Sequence, residues 1–343
     1  MKNSIFIILF AIITIITFEN CETSKVPISG DIGPNYILQT RLNEYEYIKN
    51  QYFLIDFYYK SVFESSFDPP TMRWIIQDTR KKIVQLDVWI NDRPTSASSL
   101  PAWAVSDPTQ IHPDSIDYLK QIPGQNVQRF FSRLDDGQYI YDEFRGYFWL
   151  DFPVRDTDVI AIAYENAAGE KFGMLWQDIT YPAQIPLLKL IKAENMIPSY
   201  PTWPLLMQNV YSMGADQIVL EGFDVKVMYT GTGHEILVQP VGDQKTFNYL
   251  TGLDRLTVNG EILEGDDGII DYINANIFDI YHGLIMFPSL RPFDPRFCQQ
   301  FKIDNSLSVE MYDTIDDTEI LNQHKFDIEI SILDTFSINN NQP

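Results

Sequence analysis

Apolar residues recur at every second position in three well-separated stretches of this chain, and that period fits one kind of secondary structure. Val84, Leu86, Val88 and Ile90 alternate with Gln85 and Asp87. Phe223, Val225, Val227 and Tyr229 alternate with Asp224 and Lys226, and Phe326, Ile328, Ile330 and Ile332 alternate with Asp327, Glu329 and Ser331. Successive side chains of a strand point to opposite faces, so each stretch is predicted to be a strand with one face on a core and one in water. Residues 52–59, rich in aromatic and β-branched types, are read as a further strand. Half-buried strands of this kind build sandwiches, so the expected fold is mainly β: β-sandwich-like sheets with a few short helices.

Two helices are expected. One covers residues 112–121, with Pro113 near its start and Gly124 beyond its end; the other is a short helix over 204–213, opened by Thr202 and closed by Gly214. The second would pack Trp203, Met207, Val210 and Tyr211 against a sheet as ordinary core. Prolines at 182, 186, 198, 201 and 204 separate two strand-rich halves. A chain of 343 residues usually divides, so a two-domain architecture is expected, with β-rich domains over 41–183 and 184–336 and a tail over 337–343. Residues 146–153 and 283–288 share a short pattern, from a turn glycine through apolar residues to Phe-Pro.

The start of the chain has the form of a signal peptide over 1–21: Met1, Lys2 and Asn3, then an apolar run over 5–18, then polar sequence. The run is shorter than the roughly 20 residues of a comfortable membrane helix. Cys21 sits where a lipoprotein cysteine would, although Phe18-Glu19-Asn20 is a poor match to the small residues expected before one, and an incidental cysteine is the alternative. Residues 22–40, carrying Pro27, Gly30, Gly33 and Pro34, are expected to be a tether. Cys298 is the other cysteine, so no disulfide framework exists. The expected location is exported, in the cell envelope. Membrane contact would come only through a lipid anchor or an uncleaved signal.

Asp and Glu number 47 against 25 Lys and Arg, a net charge of -22 that repels phosphate backbones, so nucleic acid is not expected as a partner. The four histidines, His112, His234, His282 and His324, lack zinc spacing, and neither a nucleophile elbow nor a phosphate loop is present. Gly231 to Glu235 reads as a hairpin turn leading from Tyr229 to residues 236–239. Paired acids such as Asp135-Asp136 and Asp142-Glu143 follow from composition, and no catalytic residue is assigned. The acidic turn Glu264-Gly265-Asp266-Asp267-Gly268 with Asp271 could wrap calcium through Asp266, Asp267 and Asp271, but it lacks EF-hand spacing, and a solvated turn is the alternative. Of the six tryptophans, most sit in apolar strands; an exposed one would offer a platform for a sugar ring.

Three stretches taken together resemble the SprA (Sov) family, the outer-membrane translocon of the type IX secretion system, which also supports gliding motility. Residues 130–165 are similar to that family's hairpin unit: a Gly-x-Tyr strand, a turn glycine, an apolar strand, a polar turn and Val159-Ile160-Ala161-Ile162-Ala163-Tyr164. Residues 188–229 carry Lys189-Leu190-Ile191-Lys192, Trp203 and Asn209-Val210-Tyr211-Ser212. The third stretch comprises Leu253-Asp254-Arg255-Leu256, residues 267–272 and residues 283–293. The similarity covers roughly 80–295. Family members run to thousands of residues, and their barrel needs many membrane strands, which this acidic chain does not supply. The resemblance therefore implies the family's soluble envelope domain standing alone, with no transmembrane barrel and no catalytic residue to carry over. It implies a non-catalytic accessory or scaffold whose partners are envelope or outer-membrane proteins. A carbohydrate-binding surface lipoprotein, with glycans as partners, is the competing expectation, and a glycoside hydrolase the third.

Overall fold

The computed structural model describes residues 22–28, 35–68, 73–75, 78–91, 99–231, 234–239, 242–257, 259–272, 277–294, 311–315 and 325–334. Residues 1–21, expected to be a signal peptide and including Cys21, lie outside the described residues, as do Cys298, His324 and residues 337–343. In chain order the strands begin β1 (Glu22–Ile28), β2 (Asn35–Asn43), β3 (Tyr52–Leu54), β4 (Phe67–Asp68), β5 (Arg73–Trp74) and β6 (Ile83–Asn91). They continue with β7 (Leu100–Val105), β8 (Asn126–Arg133), β9 (Tyr139–Asp142), β10 (Tyr147–Leu150), β11 (Ile160–Asn166) and β12 (Lys171–Phe172). The last are β13 (Leu187–Lys192), β14 (Val210–Ser212), β15 (Asp224–Tyr229), β16 (Phe278–Asp279), β17 (Leu284–Met286) and β18 (Phe326–Asp334). Helices α1 (Phe57–Ser66) and α2 (Phe247–Thr251) are short. The fold is mainly β, and among the described residues no helix is long and apolar enough to cross a membrane.

Five strands close on themselves. β11 pairs with β6 on one side and β13 on the other; β13 runs parallel to β7, β7 pairs with β8, and β8 returns to β6. So small a barrel has little interior. Ala102, Ala104, Ala161 and Ala163 leave room there for Trp89, Phe131, Leu188 and Leu190, all in one buried cluster. Alternating with those alanines, Ile160, Ile162 and Tyr164 join a second cluster with Phe53, Tyr59, Phe63 and Phe148. β11 is thus buried on both faces, which is why its sequence is a near-continuous apolar run. Each aliphatic side chain buried this way contributes about 1.5–3 kcal/mol.

Outside the barrel, β10 lies between β3 and β9 in a three-stranded sheet, with Phe53 and Phe148 stacked 5.4 Å apart. Asp56 joins this layer to the barrel. Its carboxylate caps α1 by accepting the Tyr58 N–H at 3.1 Å, takes the Tyr164 hydroxyl at 3.1 Å, and pairs with the buried Lys189 ammonium of β13 at 2.8 Å. The residues read as one strand over 52–59 are therefore two elements, because a capping aspartate at position 56 starts a helix. Val84, expected on the core face, is 49% exposed: the β6–β11 register shifts beside it, and Ile83 is buried instead.

The segment expected to be a tether carries β1 and most of β2, and β2 pairs antiparallel with β18 from Asn43–Asp327 to Tyr36–Asp334. β15 completes this sheet, which encloses Val225, Val227, Ile328, Ile330 and Ile332 with Phe247 of α2. β13 lies beyond Pro182 and Pro186 yet pairs with β7 and β11, so strand pairing crosses the expected boundary. The expected helix over 204–213 is a single tight turn, Trp203–Leu205. Thr202 makes no capping bond, and from Leu206 the chain is extended because Met207 N–H reaches the Tyr52 carbonyl at 3.1 Å, after which β14 pairs with β17. Within residues 112–121 the helix expected is a 3-10 helix, Pro113–Tyr118. Gly146 and Gly283, the two turn glycines before the Phe-Pro strands, both adopt φ +65°; a Cβ would lie 2.1 Å from the Tyr59 ring or 1.6 Å from the Ala215 carbonyl.

Lys189→Met removes one partner of a buried ion pair and should lower the unfolding free energy in a urea titration by about 3–5 kcal/mol. A loss under about 1 kcal/mol, the worth of a surface pair, would mean that Asp56 and Lys189 are solvated in solution.

Candidate functional site

Two concavities are built from residues of different elements. The larger, about 280 Å³, opens beside the barrel where β8 begins and β13 ends. Val127, Leu190 and Ala193 supply apolar surface, and Arg129 donates to Gln121 Oε1 at 3.0 Å and lies 3.4 Å from Glu194 Oε2. Behind this wall Lys192 is wholly buried and donates to the carbonyls of Asp156 and Asp158, both at 2.8 Å. Burial pulls its ammonium down to about 8, opposed by the nearby charges of Asp156, Asp158 and Glu194.

The second concavity is a cleft of about 190 Å³ between α1 and the β9–β10 turn. Tyr59 and Phe63 of α1 face the core, so Tyr58, Val62 and Ser66, spaced by four, turn outward as one wall. The opposite wall is set by Asp142, which accepts the N–H groups of Phe144 at 3.0 Å and Arg145 at 2.6 Å and takes Arg145 Nε at 2.8 Å. The Arg145 guanidinium lies over the rings of Trp74 and Tyr147, 5.2 and 5.0 Å from their centres. Asp78 and Lys81 complete the lining, with Lys81 Nζ 5.5 Å from the Tyr58 ring. Two donors on residues of this cleft, Trp74 Nε1 and Arg145 Nη1, are buried without a hydrogen-bond partner among the described residues.

Two of the acidic residues singled out from the sequence, Asp267 and Asp271, accept backbone N–H groups. Asp271 is buried and its carboxylate accepts the N–H groups of Arg255 at 2.7 Å and Leu256 at 3.1 Å. Asp267 Oδ1 takes the Ile269 N–H at 2.9 Å, and Asp266 lies half-buried on the same turn. Sequence reasoning gave no separate role to Asp254, which is 1% exposed and accepts the N–H groups of Asp267 at 3.3 Å and Gly268 at 2.9 Å. Among the described residues no group of three or more His, Cys, Asp or Glu is arranged to hold a metal ion, Asp266, Asp267 and Asp271 included. Burial pushes the carboxyls of Asp254 and Asp271 up to about 6, against the hydrogen bonds they accept. Tyr229 and Ile236, on either side of the expected hairpin turn, exchange backbone bonds of 2.9 Å, while residues 232 and 233 lie outside the described residues.

Trp89, Trp103 and Trp203 are buried, Trp74 and Trp149 half-buried, and Trp176 46% exposed beneath the Arg133 guanidinium. No protein-family model matches the chain, and no curated protein aligns with it significantly.

A carboxyl held at about 6 in the fold and near 3.9 in the unfolded chain takes up its proton in the fold first, so its contribution to stability falls as pH rises from 4 to 6 and is flat above. The stability of the wild type relative to Asp254→Asn should therefore drop by on the order of 2 kcal/mol between pH 4 and pH 7, read from urea titrations at each pH. A pH-independent difference, or one of opposite slope, would refute that assignment.

Proposed function

We propose that this chain is a non-catalytic protein of the bacterial cell envelope, an SprA-like accessory or scaffold that contacts secretion and gliding components at the outer membrane. The observation that carries the reading is how the three resembling stretches meet. β11, from the first, pairs with β13 of the second, and β14 of the second pairs with β17 of the third. Trp203, the marker of the second stretch, is buried in the barrel cluster with its indole N–H on the Tyr312 carbonyl at 2.9 Å. Segments recognised separately in the sequence are thus neighbours in one framework. The use of carboxylates as backbone acceptors, at Asp142, Asp254 and Asp271, also suits a scaffold, since those lone pairs are engaged within the fold.

A photo-crosslinking residue at the exposed positions Tyr118, Ile75 and Tyr281, introduced one at a time in the native bacterium, tests the proposal. Adducts with outer-membrane subunits of the secretion or gliding apparatus are expected. Fractionation that leaves the protein in the cytoplasm, or adducts confined to proteins outside the envelope, would overturn it.

A further inference from the structure

We propose that the cleft between α1 and the β9–β10 turn binds a neutral saccharide, one sugar ring lying against its aromatic wall with hydroxyl oxygens reaching Arg145 and Trp74. This goes beyond the scaffold reading and does not depend on it.

The cleft combines features that select a ligand class. Tyr58 and Phe144 give it flat apolar rings, on which the C–H face of a sugar ring stacks. Trp74 Nε1 and Arg145 Nη1 are buried donors with no hydrogen-bond acceptor among the described residues. A purely aliphatic guest would leave both unpaired; a hydroxylated one supplies oxygens to each. Both atoms are buried, so a guest reaches them only when side chains lining the cleft shift.

Charge then decides between neutral and ionic guests. Asp78 and Asp142 line the cleft together with Lys81 and Arg145, so its own charges balance, while the whole chain carries -22 and repels anions. Asp142 fixes the guanidinium through Nε, which leaves Nη1 as a pre-set donor rather than a free cation seeking a carboxylate. A volume of about 190 Å³ suits one ring of a longer chain, the rest running along the surface.

A panel of immobilised oligosaccharides, neutral and acidic, probed with the full mature protein and followed by calorimetry on the neutral hexose oligomers that score, tests the inference. Binding to neutral oligomers is expected, with affinity reduced about tenfold or more by Tyr58→Ala and by Arg145→Gln and left unchanged by Trp176→Ala. Should Arg145→Gln lose its circular-dichroism signature of folding, Tyr58→Ala, at an exposed position, carries the test alone. Absence of binding to any neutral oligomer, binding to acidic ones only, binding indifferent to Tyr58→Ala, or occupation of the cleft by a peptide in place of a glycan would each overturn it.

Discussion

The antiparallel pairing of β11 with both β6 and β13 is the constraint on which the rest of this structure hangs. It closes the barrel, and closure leaves β11 with no edge and two buried faces. One face demands alanines so that Trp89 and Phe131 fit within five strands; the other presents Ile160, Ile162 and Tyr164 to the outer layer. From that outer layer come α1 and the β9–β10 turn, and with them the cleft. The chain of dependence runs through Asp56, whose single carboxylate caps α1 and receives Lys189 and Tyr164 from adjacent barrel strands.

The acidity of the chain takes a particular form in the fold. Asp142, Asp254, Asp271 and Glu44 each accept two backbone N–H groups, at turns or where strands begin. Glu44 joins distant parts of the chain in this way, taking the N–H groups of Lys325 and Phe326 while its own carbonyl receives the Tyr211 hydroxyl at 2.6 Å. Short loops that would otherwise need solvent or metal to satisfy their amides are held by side chains. An excess of carboxylates is compatible with a binding surface because many of them stabilise backbone.

Much of the fold was legible where one face of a strand is polar. The alternation over 224–229 and 326–334 named β15 and β18 because water on one side enforces the period. β1 and β2 were not legible: their ladder depends on β18, nearly the whole chain away, and prolines and glycines nearby suggested a tether. Barrel closure is equally non-local, since nothing in residues 83–91 alone reveals a partner at 160–166. The Trp203 segment failed as a helix because pairing with Tyr52 outweighs its local propensity. Of the cleft, the sequence hinted only at Asp142 in an acidic pair; the outward stripe Tyr58, Val62, Ser66 stayed hidden while 52–59 was read as a strand, although Asp56 before an aromatic run is a capping signal. Asp254 was not legible, because two acids that cap each other's turn, Asp254 on the amides of Asp267 and Gly268 and Asp271 on those of Arg255 and Leu256, leave no periodic trace.

The central claim is that the barrel and the stretches paired with it form one cooperative framework centred on β11. Native-state hydrogen exchange measures this directly. The account predicts that amides of Ile160–Asn166 exchange only through global unfolding, together with those of β6 and β13, and with the same dependence on denaturant. Exchange of Ile160–Asn166 at the rate of the surrounding loops, or with a much smaller denaturant dependence than β6, would contradict it.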